Sequence, residues 1–162
     1  MHEHLIERGT IRKLWISEAP LYCAHLLRLD PESRRDRFNG TVSAAYIRSF
    51  AESSNLTDAE IHGFFVDGVL RGVGELRPLA AYEAEIALSV EQDWQGHGVG
   101  AALLERTLPA ARRRGIKLLH LTCLAENRRM RQLARKFDAD LKVGFGSVLG
   151  KIDVPVQPLK AA

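Results

Sequence analysis

Long apolar segments are missing from this sequence, since no run approaches the roughly 20 residues that a membrane-spanning helix needs. The first four residues, MHEH, include an acidic side chain and no apolar stretch, which is not the pattern of a secretory signal peptide. Cysteine is scarce: Cys23 and Cys123 are the only two, and no Cys/His cluster has the spacing of a zinc site. From these absences we expect a cytoplasmic protein with no membrane partner, no disulfide framework and no metal ligands.

Internal repeats, low-complexity tracts and Pro/Gly/Ser-rich linkers are also lacking. Hydrophobic residues make up 46% and charged residues 27%, which is the balance of an ordinary globular protein. The 162 residues suffice for one hydrophobic core but are few for two domains. We therefore expect a single domain over residues 1–162.

The net charge of +3 is small, but the basic residues are concentrated in two places. Residues 112–117 contain three consecutive arginines and a lysine, and residues 128–136 contain four arginines and a lysine. Such clusters attract phosphate groups, although cations near the C-terminal ends of helices give the same pattern for purely structural reasons. Neither cluster is interleaved with aromatic residues, so we do not expect a nucleic-acid partner.

The spacing of apolar residues and turn signals predicts a mixed α/β (α+β) fold. The predicted strands are residues 10–15, 61–66, 69–76, 83–90, 117–124 and one or two strands within 141–154. The predicted helices are residues 17–29, 43–52, 98–114 and 127–137. Asp67-Gly68 indicates a type I′ hairpin turn, Asp30-Pro31 a helix break and Asn39-Gly40 a turn. A mostly antiparallel central sheet of six or seven strands, with about four helices and one βαβ crossover, satisfies this order.

The segment that carries most chemical information lies between the predicted strand 83–90 and the helix that follows. It contains three glycines at alternate positions, Gly96, Gly98 and Gly100. Glycine allows a positive φ and a close approach of the backbone to a ligand, and a helix N-terminus favours phosphate oxygens. The same glycines would also suit a flexible turn with no ligand.

Two nucleotide-binding motifs fit this loop poorly. A P-loop needs Lys-Ser or Lys-Thr after its glycines, and Ala101-Ala102 stands there instead. The dinucleotide fingerprint G-x-G-x-x-A is matched in letters, but the loop begins six residues after Val90 rather than directly after the strand. The acidic candidate, Glu126, lies 30 residues after Gly96 instead of about 20. Only 36 residues remain after it, too few to complete a doubly wound sheet.

The hexapeptide QGHGVG at residues 95–100 resembles the Q/R-x-x-G-x-G/A loop of the GNAT superfamily of acetyl-CoA-dependent N-acetyltransferases. The predicted order of elements is also that of the superfamily. More narrowly, LDPESRRDRF at residues 29–38 and ENRRMRQLARK at residues 126–136 resemble signatures of the GNAT module in bacterial protein lysine acetyltransferases. The resemblance covers roughly residues 10–146 and implies a GNAT-like sheet that is splayed around the cofactor.

The resemblance implies that acetyl-CoA is the co-substrate, with the loop amides on its pyrophosphate. The residues that it assigns to the cofactor are Leu88, Ser89, Val90, Gln95, Gly96, His97, Gly98, Val99, Gly100, Ala101 and Asn127. Val90 would end the strand that pairs with the pantetheine arm, and its amide would stabilise an oxyanion. Asn127 would contact the arm, although asparagine also caps helices for structural reasons. His97 could donate to phosphate or could be an exposed loop residue with no role.

A thioester reacts with a neutral amine, whereas a lysine side chain with a pKa of about 10.4 is mostly charged at neutral pH. A general base is therefore required. Members of the superfamily often place a glutamate on this strand, and Glu85 is our candidate. Period-2 alternation puts Glu83 on the same face, so Glu83 is the alternative base, and both could merely face solvent.

Many members of the superfamily have a tyrosine general acid seven residues after the asparagine, and Ala134 stands at that position here. The narrower resemblance implies a protein lysine as the amine acceptor. A small-molecule amine such as a polyamine, aminoglycoside or amino-acid-like compound is the alternative, and a catalytically silent acyl-CoA sensor is the alternative from another class. A homodimer is compatible with the resemblance.

Overall fold

The computed structural model describes residues 3–53 and 58–155, which contain seven strands and six α-helices. The strands are β1 (Thr10–Lys13), β2 (Glu60–Val66), β3 (Val69–Ala80), β4 (Glu83–Val90), β5 (Leu118–Leu124), β6 (Asp140–Val143) and β7 (Ser147–Asp153). The helices are α1 (Glu3–Glu7), α2 (Ala19–Arg28), α3 (Pro31–Phe38), α4 (Ala44–Ser53), α5 (Val99–Arg113) and α6 (Arg128–Lys136). No helix in this part of the chain is long and apolar enough to cross a membrane.

The seven strands form one sheet in the order β1-β2-β3-β4-β5-β7-β6. Every neighbouring pair is antiparallel except β4 and β5, which are parallel and joined by the crossover helix α5. The β2–β3 hairpin turns at Asp67-Gly68, where φ is 50° and 78°, as a type I′ turn requires. The prediction of a mixed, mostly antiparallel sheet is therefore confirmed.

Helices cover both faces of the sheet, because alternate strand residues are apolar on opposite sides. On one face, α5 and α6 pack against side chains such as Leu76 and Ile86. On the other face, α2 and α4 pack against Ile61 and Val73. Burying an aliphatic side chain of this size contributes about 1.5–3 kcal/mol, so the two clusters hold the helices to the sheet.

The helix count differs from the prediction of about four, since the described residues contain six. The two additions are α1 and α3. Helix α3 begins at the predicted break, where the Asp30 side chain accepts from Ser33 N at 3.3 Å and Pro31 occupies the first turn. It ends at the predicted turn, where Asn39 is left-handed with φ 55°. The predicted helix break and the predicted turn are therefore the N-terminal and C-terminal caps of one short helix.

The parallel strands β4 and β5 separate along their length, as expected. Their register covers only three pairs, Glu83↔Leu118 to Glu85↔His120. Beyond that point β4 continues against β3 as far as Val90, and β5 continues against β7 as far as Leu124. A gap therefore opens between the carboxyl ends of the two strands, next to the start of α5.

Candidate active site

The gap between β4 and β5 is a cleft of about 620 Å³. It is bounded by both strands, the loop before α5, the first turn of α5, helix α6, and side chains from α3 and α4. The predicted site residues that line it are Glu85, Leu88, Ser89, Val90, Gln95, Gly96, Gly98, Val99, Gly100, Ala101 and Asn127. His97 lies in the same loop and is half-buried, but it does not line the cleft.

The glycine loop ends in a helix N-terminus that opens into the cleft. Gly96 and Gly98 have φ of 76° and 83°, a left-handed conformation that favours glycine, and Gly98 is the N-cap of α5. The first helical hydrogen bond runs from Ala102 N to Gly98 O at 3.0 Å. The amides of residues 99–101 therefore have no partner within the helix, and the helix dipole adds a partial positive charge there. This geometry suits an anionic group such as a phosphate.

The exposed edge of β4 offers further backbone groups. Glu91 N donates to Arg71 O at 2.9 Å, and the β3–β4 register is regular from Gly72↔Val90 to Leu76↔Ile86. Alternation in an antiparallel ladder then directs the N–H and C=O groups of Leu88 and Val90 away from β3, towards the cleft. Within the described residues, β5 does not pair with this part of β4. An extended ligand could take the place of the missing strand.

Gln95 joins three walls of the cleft. Its Nε2 donates to Val90 O at 2.7 Å and to Ser33 Oγ of α3 at 2.7 Å. Its Oε1 accepts from Arg129 of α6. The Gln95 side chain therefore fixes the loop against β4, α3 and α6.

The two candidate glutamates of β4 differ in their surroundings. Glu85 lines the cleft, and its register neighbours are Arg77 on β3 and His120 on β5. Glu83 does not line the cleft, and its Oε1 is 2.9 Å from His120 Nε2. Of the two, Glu85 is the one that a substrate in the cleft can reach.

A buried ionic cluster beside the cleft was missed by the sequence reasoning. Glu75 of β3 is fully buried and accepts from Tyr22 Oη, Arg37 and Arg77, each at 2.7 Å. Burial alone would raise the pKa of Glu75, but the charges of Arg37 and Arg77 outweigh it and hold the pKa below its usual range. The signal in the sequence was an acidic residue between the apolar residues Val73 and Leu76 of a predicted strand.

We expect Glu75→Gln to lower the free energy of unfolding by about 3–5 kcal/mol, because it leaves two guanidinium groups with an uncompensated charge in or near the core. Urea unfolding measures this change. Glu83→Gln is the matched control, since the Glu83 side chain is 39% exposed and such pairs contribute about 1 kcal/mol or less. A loss at Glu75 no larger than that of the control would contradict the assigned role.

A second buried network, which the sequence reasoning also missed, lies between α2 and β4. His25 of α2 is fully buried, with Nε2 2.8 Å from Ser89 Oγ and Nδ1 3.1 Å from Glu91 Oε2. Glu91 also accepts from Arg28 at 2.9 Å and from Arg71 at 3.1 Å. Ser89 is the member of this network that lines the cleft. Helix α2, strands β3 and β4 and the cleft wall are connected through it.

Comparison with known proteins agrees with this geometry. The model of the Acetyltransferase (GNAT) family matches residues 24–139, which is more than half of the chain. A curated acetyltransferase of Pseudomonas aeruginosa is 32% identical over 113 residues, which is 65% of this chain and 61% of that protein, so the match spans less than two thirds of the relative.

Solved structures show the same fold. The crystal structure of the GNAT domain of S. lividans PAT has a TM-score of 0.76 at 24% identity, covering 90% of both chains. The PaiA N-acetyltransferase from Thermoplasma acidophilum, solved in complex with coenzyme A, has a TM-score of 0.70 at 20% identity and covers 90% of this chain and 98% of its own. From the family match, the loop and the splayed sheet, this chain belongs to the GNAT family of acetyltransferases.

Proposed function

We propose that this chain transfers the acetyl group of acetyl-CoA to a primary amine, and that the amine is a lysine side chain of a protein. The observation that carries the proposal is the family's glycine loop, seated at the N-terminus of α5 where β4 and β5 diverge. The helix amides that we propose for the phosphates and the part of β4 that β5 leaves unpaired then lie along one continuous cleft.

The residues of the cleft fit acetyl-CoA. The amides of residues 99–101 and the turn at Gly96 and Gly98 suit the pyrophosphate, because the helix start supplies unpaired donors and the two glycines have no Cβ that would shield the backbone. The outward N–H and C=O groups of Leu88 and the N–H group of Val90 suit the amide-containing pantetheine arm, whereas Val90 O already accepts from Gln95 Nε2. Asn127 Oδ1 caps α6 by accepting from Met130 N at 3.1 Å, so only its Nδ2 remains to donate to the arm.

Glu85 would accept the proton that makes the amine nucleophilic. Either outward amide of β4 could hold the oxygen of the reacting carbonyl. At about 3.3 Å per residue, the Leu88 amide lies about 10 Å along the strand from Glu85 and the Val90 amide about 16 Å. The shorter spacing can be bridged by the amine and a water molecule, so the Leu88 amide is the better partner for Glu85.

The mouth of the cleft supports a protein acceptor. Among the described residues, the charged side chains that line the cleft are two carboxylates, Asp36 and Glu85, and two guanidiniums, Arg37 and Arg129. A polyamine or aminoglycoside would be attracted by an excess of carboxylates, which this balance does not provide.

Exposed apolar side chains near the mouth of the cleft also support a protein acceptor. Tyr46 lines the cleft and is 50% exposed. Leu149 is 52% exposed and is the register partner of Thr122, another cleft residue. Exposed apolar groups around an opening are typical of a surface that another protein covers.

Acetyl-lysine mass spectrometry tests the acceptor class. Lysate proteins incubated with acetyl-CoA and the wild-type protein should gain acetyl-lysine sites that the Glu85→Gln variant does not produce. The variant controls for chemical acetylation by the thioester. If no protein site gains acetylation while an aminoglycoside or polyamine turns over efficiently, the acceptor is a small molecule.

A further inference from the structure

The reaction removes two protons from a charged amine, and the proposed base accounts for one of them. An ammonium group loses its first proton before it attacks the thioester. The C–N bond then forms, and the nitrogen of the tetrahedral species again carries a positive charge until a second proton leaves. One carboxylate that is already protonated cannot accept the second proton, so the reaction needs a second acceptor in the wall of the cleft.

Ser89 lies where a second acceptor is needed. It stands on β4 between Leu88 and Val90, the two residues whose amides face the cleft, and it lines the cleft itself. Period-2 alternation puts its side chain on the same face of the strand as Glu85. The Ser89 hydroxyl is therefore on the face from which the amine would approach.

The partners of Ser89 form a chain of hydrogen bonds that can receive a proton. Its Oγ is 2.8 Å from His25 Nε2, and His25 Nδ1 is 3.1 Å from Glu91 Oε2. A carboxylate only accepts, so His25 Nδ1 carries the hydrogen, and its Nε2 accepts from the Ser89 hydroxyl.

The charge state of the network is fixed by its surroundings. Burial would raise the pKa of Glu91, but hydrogen bonds from His25 and Arg28 outweigh it and hold that pKa below its usual range. Burial lowers the pKa of His25, against the opposing effect of Glu91. His25 is therefore neutral near pH 7 and presents a lone pair to Ser89.

We propose that Ser89 is a catalytic residue that passes the second proton of the amine to His25. This proposal rests on the proposed acetyl transfer. As the C–S bond breaks and its electron pair leaves on sulfur, Ser89 Oγ takes the proton from nitrogen and gives its own to His25 Nε2. Glu91 stabilises the resulting imidazolium, and Arg28 and Arg71 hold Glu91 in place.

The proton has a destination within the same site. The thiolate of coenzyme A has a pKa near that of a free thiol, about 8.5. A buried imidazolium with a lowered pKa is the stronger acid, so it returns its proton to the thiolate through Ser89, which separates it from the cleft. The balance is then amide and free thiol, with one proton on Glu85 to be released to solvent. His25 would then act as the general acid. In many members of the superfamily a tyrosine has this role, and Ala134 stands at its position here.

The test compares Ser89→Ala with wild type, using an N-terminally blocked lysine peptide as the acceptor probe. We expect kcat to fall by about 10²-fold, the lower range for proton-transfer catalysis, with the affinity for acetyl-CoA changed less than twofold. His25→Gln keeps groups that can bond to Ser89 and Glu91 but cannot take a proton, and it should show a similar loss. The double variant should lose little more, because the pair acts as a unit.

Thr107→Val is the matched control for deleting a buried hydroxyl. Thr107 is fully buried on α5, and its Oγ1 donates to Leu104 O at 2.7 Å. It does not line the cleft. Its kcat should stay within twofold of wild type. A purely structural role for Ser89 predicts that Ser89→Ala behaves like this control, with a lower unfolding temperature and an unchanged kcat, and that result would overturn the proposal.

A weakly basic acceptor separates Ser89 from Glu85. Hydroxylamine is already neutral at the assay pH, so it needs no base before attack but still loses a proton afterwards. After subtraction of the uncatalysed reaction, the defect of Glu85→Gln should shrink with hydroxylamine, whereas that of Ser89→Ala should persist. A Ser89→Ala defect that vanishes with hydroxylamine would show that Ser89 serves the first proton, against this proposal. Absence of turnover by the wild type with every amine would instead overturn the proposed acetyl transfer itself.

Discussion

Glu85→Gln is expected to lower kcat for a lysine acceptor by about 10²-fold or more at pH 7, the typical contribution of a general base. Glutamine has nearly the size of glutamate and can still form hydrogen bonds, but it cannot accept the proton. The affinity for acetyl-CoA, measured by calorimetry, should change little because the proposed role of Glu85 is on the amine and not on the cofactor. Steady-state release of coenzyme A measures kcat.

The pH dependence of this defect follows from the amine. The fraction of neutral lysine rises as pH approaches its pKa of about 10.4, so the need for a base falls. The rate of the variant should therefore approach that of wild type as pH rises. Glu83→Gln is the matched control, since Glu83 lies on the same face of β4 but contacts His120 outside the cleft. A Glu85 variant with most of its rate at pH 7 would move the role to Glu83 or to water.

Local signals predicted the centre of this molecule well. The bounds of β4 agree with the prediction, and α5 and α6 differ from theirs by one residue at each end. These elements carry strong apolar periodicity and clear end signals, such as the left-handed Gly115 after α5 and the Asn127 cap of α6. Most of the predicted cofactor residues line one cleft because they follow one another along a strand, a loop and a helix start.

Helix α3 escaped prediction because it has no periodic apolar face. It spans eight residues, and none of them is buried. Only its caps marked it, and a cap pair around a polar octapeptide also describes a loop between two turns. This helix brings Ser33 and Arg37 to the cleft, so the missed element is part of the candidate site.

The buried polar networks could not be predicted because their partners are far apart in sequence. Tyr22 and Glu75 are 53 residues apart, and His25 and Ser89 are 64 residues apart. A histidine within an apolar helix face is consistent with many environments, and only the packing of α2 on the sheet brings it to Ser89 of β4. The proton-accepting chain is therefore a consequence of tertiary structure.

Substitutions in the glycine loop are expected to have the second large effect, a loss of affinity for acetyl-CoA. Gly100 is the best position at which to test it. An added Cβ at Gly100 would be 3.6 Å from Leu133 Cδ2, which is an ordinary contact, and φ at Gly100 is not positive. The protein itself therefore has room for a side chain there. Because Gly100 lines the cleft in the first turn of α5, the branches of a valine would occupy space beside the amides that we propose for the pyrophosphate.

We expect Gly100→Val to weaken acetyl-CoA binding by at least tenfold. A hydrogen bond to a charged group contributes about 1.5–3 kcal/mol, and each 1.4 kcal/mol is a tenfold change in Kd, so the loss of one phosphate contact is enough. The unfolding temperature should not fall, because most residues destabilise a helix less than glycine does. Calorimetry with acetyl-CoA and a thermal melt measure the two quantities.

Gly98 needs a different control, since its φ of 83° strains any side chain whether or not a ligand binds. Gly115 has a φ of 71° with nothing within 4 Å of an added Cβ, and it lies after the far end of α5. Gly115→Ala thus reproduces the backbone strain of Gly98→Ala away from the cleft. Both variants should lose similar stability, but only Gly98→Ala should lose affinity for acetyl-CoA. Unchanged affinity for acetyl-CoA in folded Gly98→Ala and Gly100→Val would show that the loop does not bind the cofactor.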